Sequence, residues 1–201
     1  MTEKGNKNVN AVIPAAGRSQ RMQSFKPLLP FDKERSFIEK IVDEFVDFGC
    51  NEIIVVINKD IYKVSKDTVL KKLERQVEII INENLDYGRY YSIKLGLQKL
   101  KNKEYCFIHN CDNPLINQEI LSGIFSHKFS GGYVSPVYDD HGGHPVLISK
   151  VMIKRIIESE ENAANFREVI QSFPLKKINI NTKDILANIN TINDYNQLLD
   201  Y

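Results

Sequence analysis

No stretch of this 201-residue chain approaches the roughly 18 consecutive apolar residues that a membrane helix needs. Residues 1–8 are polar and lack the apolar core of a signal peptide. A membrane span and an export route are both set aside, and a cytoplasmic location is expected. Cysteine is scarce and odd in number: Cys50, Cys106 and Cys111 cannot make a disulfide framework, so free thiols are expected. An excess of either charge is also missing. Lys and Arg number 27 against 26 Asp and Glu, a net charge of +1, so no overall field would gather nucleic acid or an anionic membrane. Anion binding must then be local. No internal repeat, low-complexity tract or Pro/Gly-rich linker marks a boundary, and the length buries one good core without requiring a second. A single domain over residues 1–201 is expected.

Several catalytic signatures are absent as well. There is no G-x-G-x-x-G dinucleotide fingerprint, no G-x-x-x-x-G-K-[ST] phosphate loop and no G-x-S-x-G nucleophile elbow. Cys106 and Cys111 stand five apart across a predicted strand end, which sends their side chains to opposite faces and does not form a zinc knuckle.

What is present is an alternation of strands and helices. Residues 9–14 read as a strand; Phe37, Ile38, Ile41, Val42, Phe45 and Val46 recur at helical spacing until Gly49; residues 53–57 are a continuous apolar run suited to a strand buried on both faces. Helices are then predicted over 60–73, 90–100, 118–129, 151–159, 165–172 and 194–199, and strands over 77–81, 105–109, 132–137, 145–149 and 175–180. This order predicts an α/β fold, a three-layer αβα sandwich around a mostly parallel mixed sheet. Ligands of such sheets bind beyond the carboxyl ends of the strands.

The loop after the first predicted strand is the strongest candidate. Pro14 opens this nucleotide-binding loop, and Ala15, Ala16 and Gly17 have almost no side chain to hold a ligand away, so their backbone N–H groups can approach phosphate oxygens. Ser19 follows in the same loop, and Arg18, Arg21 and Lys26 supply counter-charge. The run from Ala15 to Pro30 resembles the A-A-G-x-S-x-R-M-x-x-x-K-x-L-L-P signature of the NTP-transferase (nucleotidyltransferase) family, in particular its molybdenum cofactor cytidylyltransferase branch. That resemblance spans almost the whole chain and implies the Rossmann-like fold of nucleotide-diphospho-sugar transferases. It also implies that Arg18 and Lys26 contact a triphosphate, while Arg21 braces the loop.

Further segments carry the likeness. Asp112 stands between a predicted strand and Pro114, in a turn whose hard oxygen suits Mg²⁺. The run 110–115 resembles the family's metal-binding turn, with Asn113 where other residues are commoner. The run 188–195 resembles its C-terminal ending, which makes Asn190 a second metal ligand or else a helix cap. Residues 82–97 resemble the segment that shapes nucleotide or acceptor binding, with Asn82, Gly88 and Ser92 as nucleotide contacts and Arg89 replacing the usual Met. Gly142, Gly143, His144 and Pro145 match a G-H-P element, which implies an acceptor-binding role for Gly143 and His144.

The chemistry implied is a Mg²⁺-assisted transfer with Arg18, Lys26 and Asp112 as its catalytic residues. A phosphate monoester is already an oxyanion near neutral pH, since its second pKa lies near 6, so no general base is needed. The expected partners are a nucleoside triphosphate, with CTP favoured, a phosphate-bearing small molecule such as a molybdopterin cofactor, and a molybdoenzyme or maturation factor as recipient. Two alternatives stay open: a sugar-phosphate or alcohol-phosphate nucleotidyltransferase, and a nucleotide-binding module without turnover.

Overall fold

The computed structural model describes residues 7–18 and 24–199. Among them, β1 (Val9–Pro14), β2 (Ile53–Ile57), β3 (Glu78–Ile81), β4 (Tyr105–Ile108), β5 (Tyr133–Tyr138), β6 (His141–Gly142), β7 (Val146–Ser149) and β8 (Leu175–Asn179) form one eight-stranded sheet. The run β3-β2-β1-β4 is parallel. β7 then pairs antiparallel with both β4 and β5, and β8 lies parallel to β5 on its other side. The reversal has a simple cause: residues 139–145 are too few to carry the chain back for a parallel crossover. Asp139 and Asp140 turn it instead with φ of +47° and +61°, so that β6 pairs back on Val137 and Tyr138.

The helices are α1 (Phe37–Phe48), α2 (Lys59–Ser65), α3 (Val69–Leu73), α4 (Gly88–Lys99), α5 (Gln118–Ser126), α6 (Lys150–Glu158), α7 (Phe166–Gln171) and α8 (Ile192–Leu199). None among the described residues is long and apolar enough to cross a membrane. The sheet is covered on both faces, and β2 shows why its sequence has no polar alternation. Ile53, Val55 and Ile57 point into the core beneath α1 and α5, whereas Ile54 and Val56 point into the core beneath α4 and α6.

Local sequence sets the helix ends. Ser36 and Glu39 form a capping box at the start of α1, with Ser36 N donating to Glu39 Oε2 at 2.8 Å. Gly49 closes it in the left-handed region at φ +88°. The single helix predicted over 60–73 is instead two, α2 and α3. Ser65 and Thr68 hydroxyls bond back to the carbonyls of Ile61 and Ser65, and Thr68 leaves helical geometry at φ −123° and ψ −101°.

α4 is held unusually close to the sheet. A Cβ built on Gly96 would stand 2.5 Å from Val12 Cγ1, so only glycine permits this approach. Its N-terminus is thereby placed over the carboxyl ends of β1 and β3.

Candidate active site

A cleft of about 630 Å³ opens at the carboxyl ends of β1, β3 and β4, within the ~300–1,000 Å³ range usual for small-ligand sites. Pro14, Ala15, Ala16, Gly17, Arg18, Lys26, Asn82, Gly88, Ser92, Asp112 and Asn190 all line it, so most of the expected site residues are brought together. Ser19 and Arg21 lie outside the described residues. Gly143 and His144 do not line the cleft.

Its first wall is the loop after β1. Ala15 N donates to Val56 O at 2.7 Å, extending the sheet by one residue. This corrects the expectation for Ala15, whose N–H is taken by the sheet and not offered to a ligand. Asn58 caps α2 by accepting from Ile61 N at 2.8 Å, and its Nδ2 donates to Ala16 O at 3.0 Å. The loop is therefore pinned by a buried asparagine from the next strand-to-helix junction. At Gly17, a Cβ would meet no atom within 4 Å, and φ is not in the left-handed region. Packing does not demand glycine there; the space beside it belongs to the cleft.

The second wall is the turn after β4. Asp112 lies half-buried, and burial raises its pKa even though Lys26 and Arg89 pull it the other way. Ile189 N donates to Asp112 O at 2.9 Å, which ties the C-terminal segment to this turn and brings Asn190 to the cleft. Lys26 Nζ donates to Asn190 Oδ1. Asn190 does not cap α8. Thr191 Oγ1 accepts from Asp194 N at 3.1 Å, and Asp194 Oδ2 accepts from the N–H groups of Asn190 and Thr191 at 2.9 and 2.8 Å. Tyr195 completes the clamp, its hydroxyl donating to Pro30 O at 2.8 Å and its ring 5.8 Å from Phe37.

Asn113 turns inward and away from the cleft. Its amide donates to Asp184 O at 2.9 Å and accepts from Leu115 N at 3.0 Å, while His109 Nε2 meets its carbonyl at 2.7 Å. Burial holds His109 neutral, with a pKa lowered to about 3. The same cause pushes the Cys111 thiol up to about 12, so the cysteine in the cleft wall is no nucleophile. Cys50, Cys106 and Cys111 are free.

The third wall is the segment entering α4. Asn82 Nδ2 donates to Ser92 Oγ at 2.9 Å and Asn82 Oδ1 accepts from Asn84 N at 2.8 Å, so these two polar side chains chiefly brace one another. Gly88, at φ +72° and ψ −162°, makes the corner that starts the helix. Two residues missed as contacts stand here. Asp86 accepts from Arg18 Nη2 at 2.7 Å across the cleft mouth. Arg89 donates from Nη1 to Asn110 Oδ1 at 2.8 Å and lies 5.4 Å from the centre of the Phe166 ring. Asn110, the first polar residue after β4 and its flanking His109, carried a positional signal; Arg89 carried one in replacing a methionine.

The G-H-P element lies behind this wall. A Cβ on Gly143 would stand 2.5 Å from Ile185 O, and His144 N donates to that same carbonyl at 2.9 Å. Gly143 therefore serves backbone packing. His144 Nε2 lies 3.2 Å from Asn110 Nδ2, and its Nδ1 is buried without a partner among the described residues. Burial keeps this imidazole neutral, with a pKa lowered to about 4. It reaches the cleft through Asn110 and not directly, contrary to the expected contact with an acceptor.

Residues 11–177 match the MobA-like NTP transferase domain. This chain belongs to that family. As a member of it, the chain is a nucleotidyltransferase. Among relatives, it is 26% identical over 189 residues to the molybdenum cofactor cytidylyltransferase of Escherichia coli, with 93% of each chain covered. It is likewise 26% identical over 201 residues to a probable molybdenum cofactor guanylyltransferase of Clostridium perfringens, covering 94% of this chain and 96% of the relative. The fold is that of Rv0371c from Mycobacterium tuberculosis, with a TM-score of 0.76 at 18% identity over 96% of this chain and 98% of that one. The same mycobacterial protein has been crystallised as a complex with manganese, TM-score 0.74.

Proposed function

We propose that this chain, acting as a single domain, transfers a nucleoside monophosphate, CMP from CTP in the favoured case, to a phosphate-bearing acceptor and releases pyrophosphate. The observation that carries the reading is the meeting of Lys26, Asn190 and Asp112 beside the small-residue loop 15–17 in one cleft at the strand ends. The names of the two relatives support a molybdopterin-type acceptor. The Pro14-Ala15-Ala16-Gly17 sequence supports a pyrimidine nucleotide as donor.

The donor set suits a hard divalent cation. Asp112 is a half-buried carboxylate whose ionised form is under-stabilised by the protein alone, and Mg²⁺ binds through one or two carboxylates together with substrate phosphates and water. The manganese complex of the mycobacterial relative supports such a site. Asp112 would hold the ion, and Asn190 Oδ1, which has two lone pairs, can serve both Lys26 and the ion. When bound, Mg²⁺ would neutralise charge on the α-phosphate and the departing pyrophosphate.

The chain's own residues then do the rest. Ala16 and Gly17 line the cleft, where their N–H groups would approach phosphate oxygens, with Lys26 and Arg18 supplying counter-charge. Lys26 is oriented by Asn190, so its ammonium is directed before the nucleotide arrives. The acceptor phosphate attacks the α-phosphorus in line; the new P–O bond forms as the bond to pyrophosphate breaks. No proton is removed, in keeping with a cleft whose histidine neighbour is neutral and turned away.

The test is a panel of CTP, GTP, ATP and UTP with Mg²⁺ read by thermal shift, since a bound ligand stabilises the native state by mass action. Acceptor-dependent pyrophosphate release is then measured with the nucleotide that binds. Selective stabilisation by CTP followed by release is the expected result. Stabilisation without release under any acceptor would leave a binding module, and selective stabilisation by GTP would reassign the donor.

A further inference from the structure

Arg89 occupies a place that the free protein does not reward. It stands in the first turn of α4, where the helix dipole disfavours a cation. The protein around it lowers its pKa, although the side chain keeps solvent access along the cleft. No carboxylate forms an ion pair with it among the described residues, and Asp112 and Cys111 counter its charge only from a distance. One of its N–H donors is spent on Asn110; the others find no acceptor among the described residues. The helix start and the lowered pKa both disfavour the cation, both are relieved by a bound anion, and the unspent N–H donors are available to hold one.

The guanidinium is also held in place. Phe166 of α7 lies beneath it, and Asn110 accepts from Nη1. With its oxygen so engaged, Asn110 offers its amide N–H to His144 Nε2, which leaves the neutral imidazole proton on Nδ1. Arg89, Asn110 and His144 form a chain from the cleft into the packed loop at Ile185. A fork oriented in this way suits two oxygens of one phosphate or carboxylate group.

Its anchoring differs from that of Lys26. Lys26 and Arg89 both act on Asp112, but Lys26 is oriented by Asn190 next to the β1 loop, while Arg89 is oriented by Asn110 toward β7 and α7. We infer that Arg89 is the specificity-determining anchor for the acceptor's anionic group, binding it bidentately on the far side of Asp112 from the nucleotide triphosphate. The inference deepens the proposed function and rests on it. It places His144 as a positioning residue that acts through Asn110.

The test uses the full chain loaded with Mg²⁺ and α,β-methylene CTP, which fills the donor site without turnover, and titrates inorganic phosphate by calorimetry. The wild type should bind phosphate saturably. Arg89→Met should weaken that binding by about tenfold or more, and Arg89→Lys, which keeps the charge but loses the fork, should fall between them, with affinity for the nucleotide analogue unchanged within about twofold in both. Equal melting temperatures for the three proteins exclude misfolding, and the lysine variant decides the matter if the methionine variant is unstable. The inference is overturned if the loaded wild type binds no phosphate, if Arg89→Met binds it as the wild type does, or if analogue affinity falls in parallel, which would make Arg89 a donor contact. Failure of the wild type to bind any nucleotide sinks the proposed function itself, and this inference with it.

Discussion

The β1 wall and the β4 wall of the cleft face the same space but are built differently. On the β1 side the surface is largely backbone, supplied by consecutive small residues and fixed by sheet pairing at Ala15 and by one buried amide, Asn58. On the β4 side it is a network of side chains: Asp112 beside Asn190 from the C-terminal segment, and Arg89 from α4 on Asn110, backed by His144. A backbone wall suits a ligand part shared by every nucleotide, the polyphosphate. A side-chain wall can be altered one residue at a time, which suits the part that distinguishes acceptors.

Removing the β4 wall's carboxylate, which faces the cations of both walls, should have the largest effect. Asp112→Ala is expected to cut turnover by about 10³-fold while the fold is retained, measured as pyrophosphate release with saturating nucleotide and acceptor. A near-wild-type rate would remove Asp112 from the chemistry. The accompanying stability change has a definite sign. The folded pKa of Asp112 is raised above its ordinary 3.8, so the folded protein holds this proton more tightly than the unfolded chain and loses stability as pH rises through the interval between the two values. At neutral pH the ionised carboxylate is thus a net burden on the ligand-free protein. Asp112→Asn should melt higher than wild type at pH 7, and the gain should vanish below the unfolded pKa.

Lys26→Ala removes the β1 wall's cation and, with it, one bond to Asn190 of the other wall. It should reduce turnover by about 10²-fold and weaken nucleotide binding, with a smaller effect on phosphate binding by the loaded protein. A loss confined to the acceptor step would mean that Lys26 belongs to the other wall.

The same contrast explains what was legible in the sequence. The β1 wall could be read because its residues are consecutive and its function depends on their smallness, and β2 could be read because burial on both faces leaves an uninterrupted apolar run. The β4 wall was legible at Asp112, where Pro114 marks the turn, and at Asn190 only through the likeness of the C-terminal run. The contacts that assemble it cross long sequence separations: Lys26 with Asn190, Arg89 with Asn110, Asn110 with His144. Spacing carries no trace of such pairings. The G-H-P element illustrates the limit from the other direction, since its residues were recognisable but Gly143 turned out to serve Ile185 and His144 to serve Asn110. The division of residues 60–73 into two helices was likewise hidden, because it depends on hydroxyls at Ser65 and Thr68 choosing backbone partners.

Gly96→Ala perturbs the placement of α4 without touching the cleft. The new methyl would stand 2.5 Å from Val12 Cγ1 and 3.3 Å from Val56 Cγ2. Overpacking of this kind costs about 1–3 kcal/mol, against a gain of about 1 kcal/mol from replacing glycine in a helix. The net change should be a loss, at about 2–4 °C in Tm for each kcal/mol. Because Arg89 rides on α4, a kinetic change is expected in the acceptor's KM before the nucleotide's. The reverse order would show that α4 carries donor contacts.

The smallest expected effect lies at the cleft mouth. Arg18 Nη2 is 2.7 Å from Asp86 Oδ1, with the two side chains 56% and 90% exposed. An exposed pair of this kind is worth about 0.2–1 kcal/mol, a factor of about 1.5 to 5 in an equilibrium. If Arg18 must leave Asp86 to meet a triphosphate, that is the whole cost of its release. Asp86→Ala should then lower the nucleotide's KM by this factor, leave kcat unchanged, and lose its advantage as salt rises and screens the pair in the wild type. A raised KM would give Asp86 the opposite role: it would hold Arg18 in the orientation the triphosphate needs, and the β1 wall would then depend on a side-chain contact of the kind that builds the β4 wall.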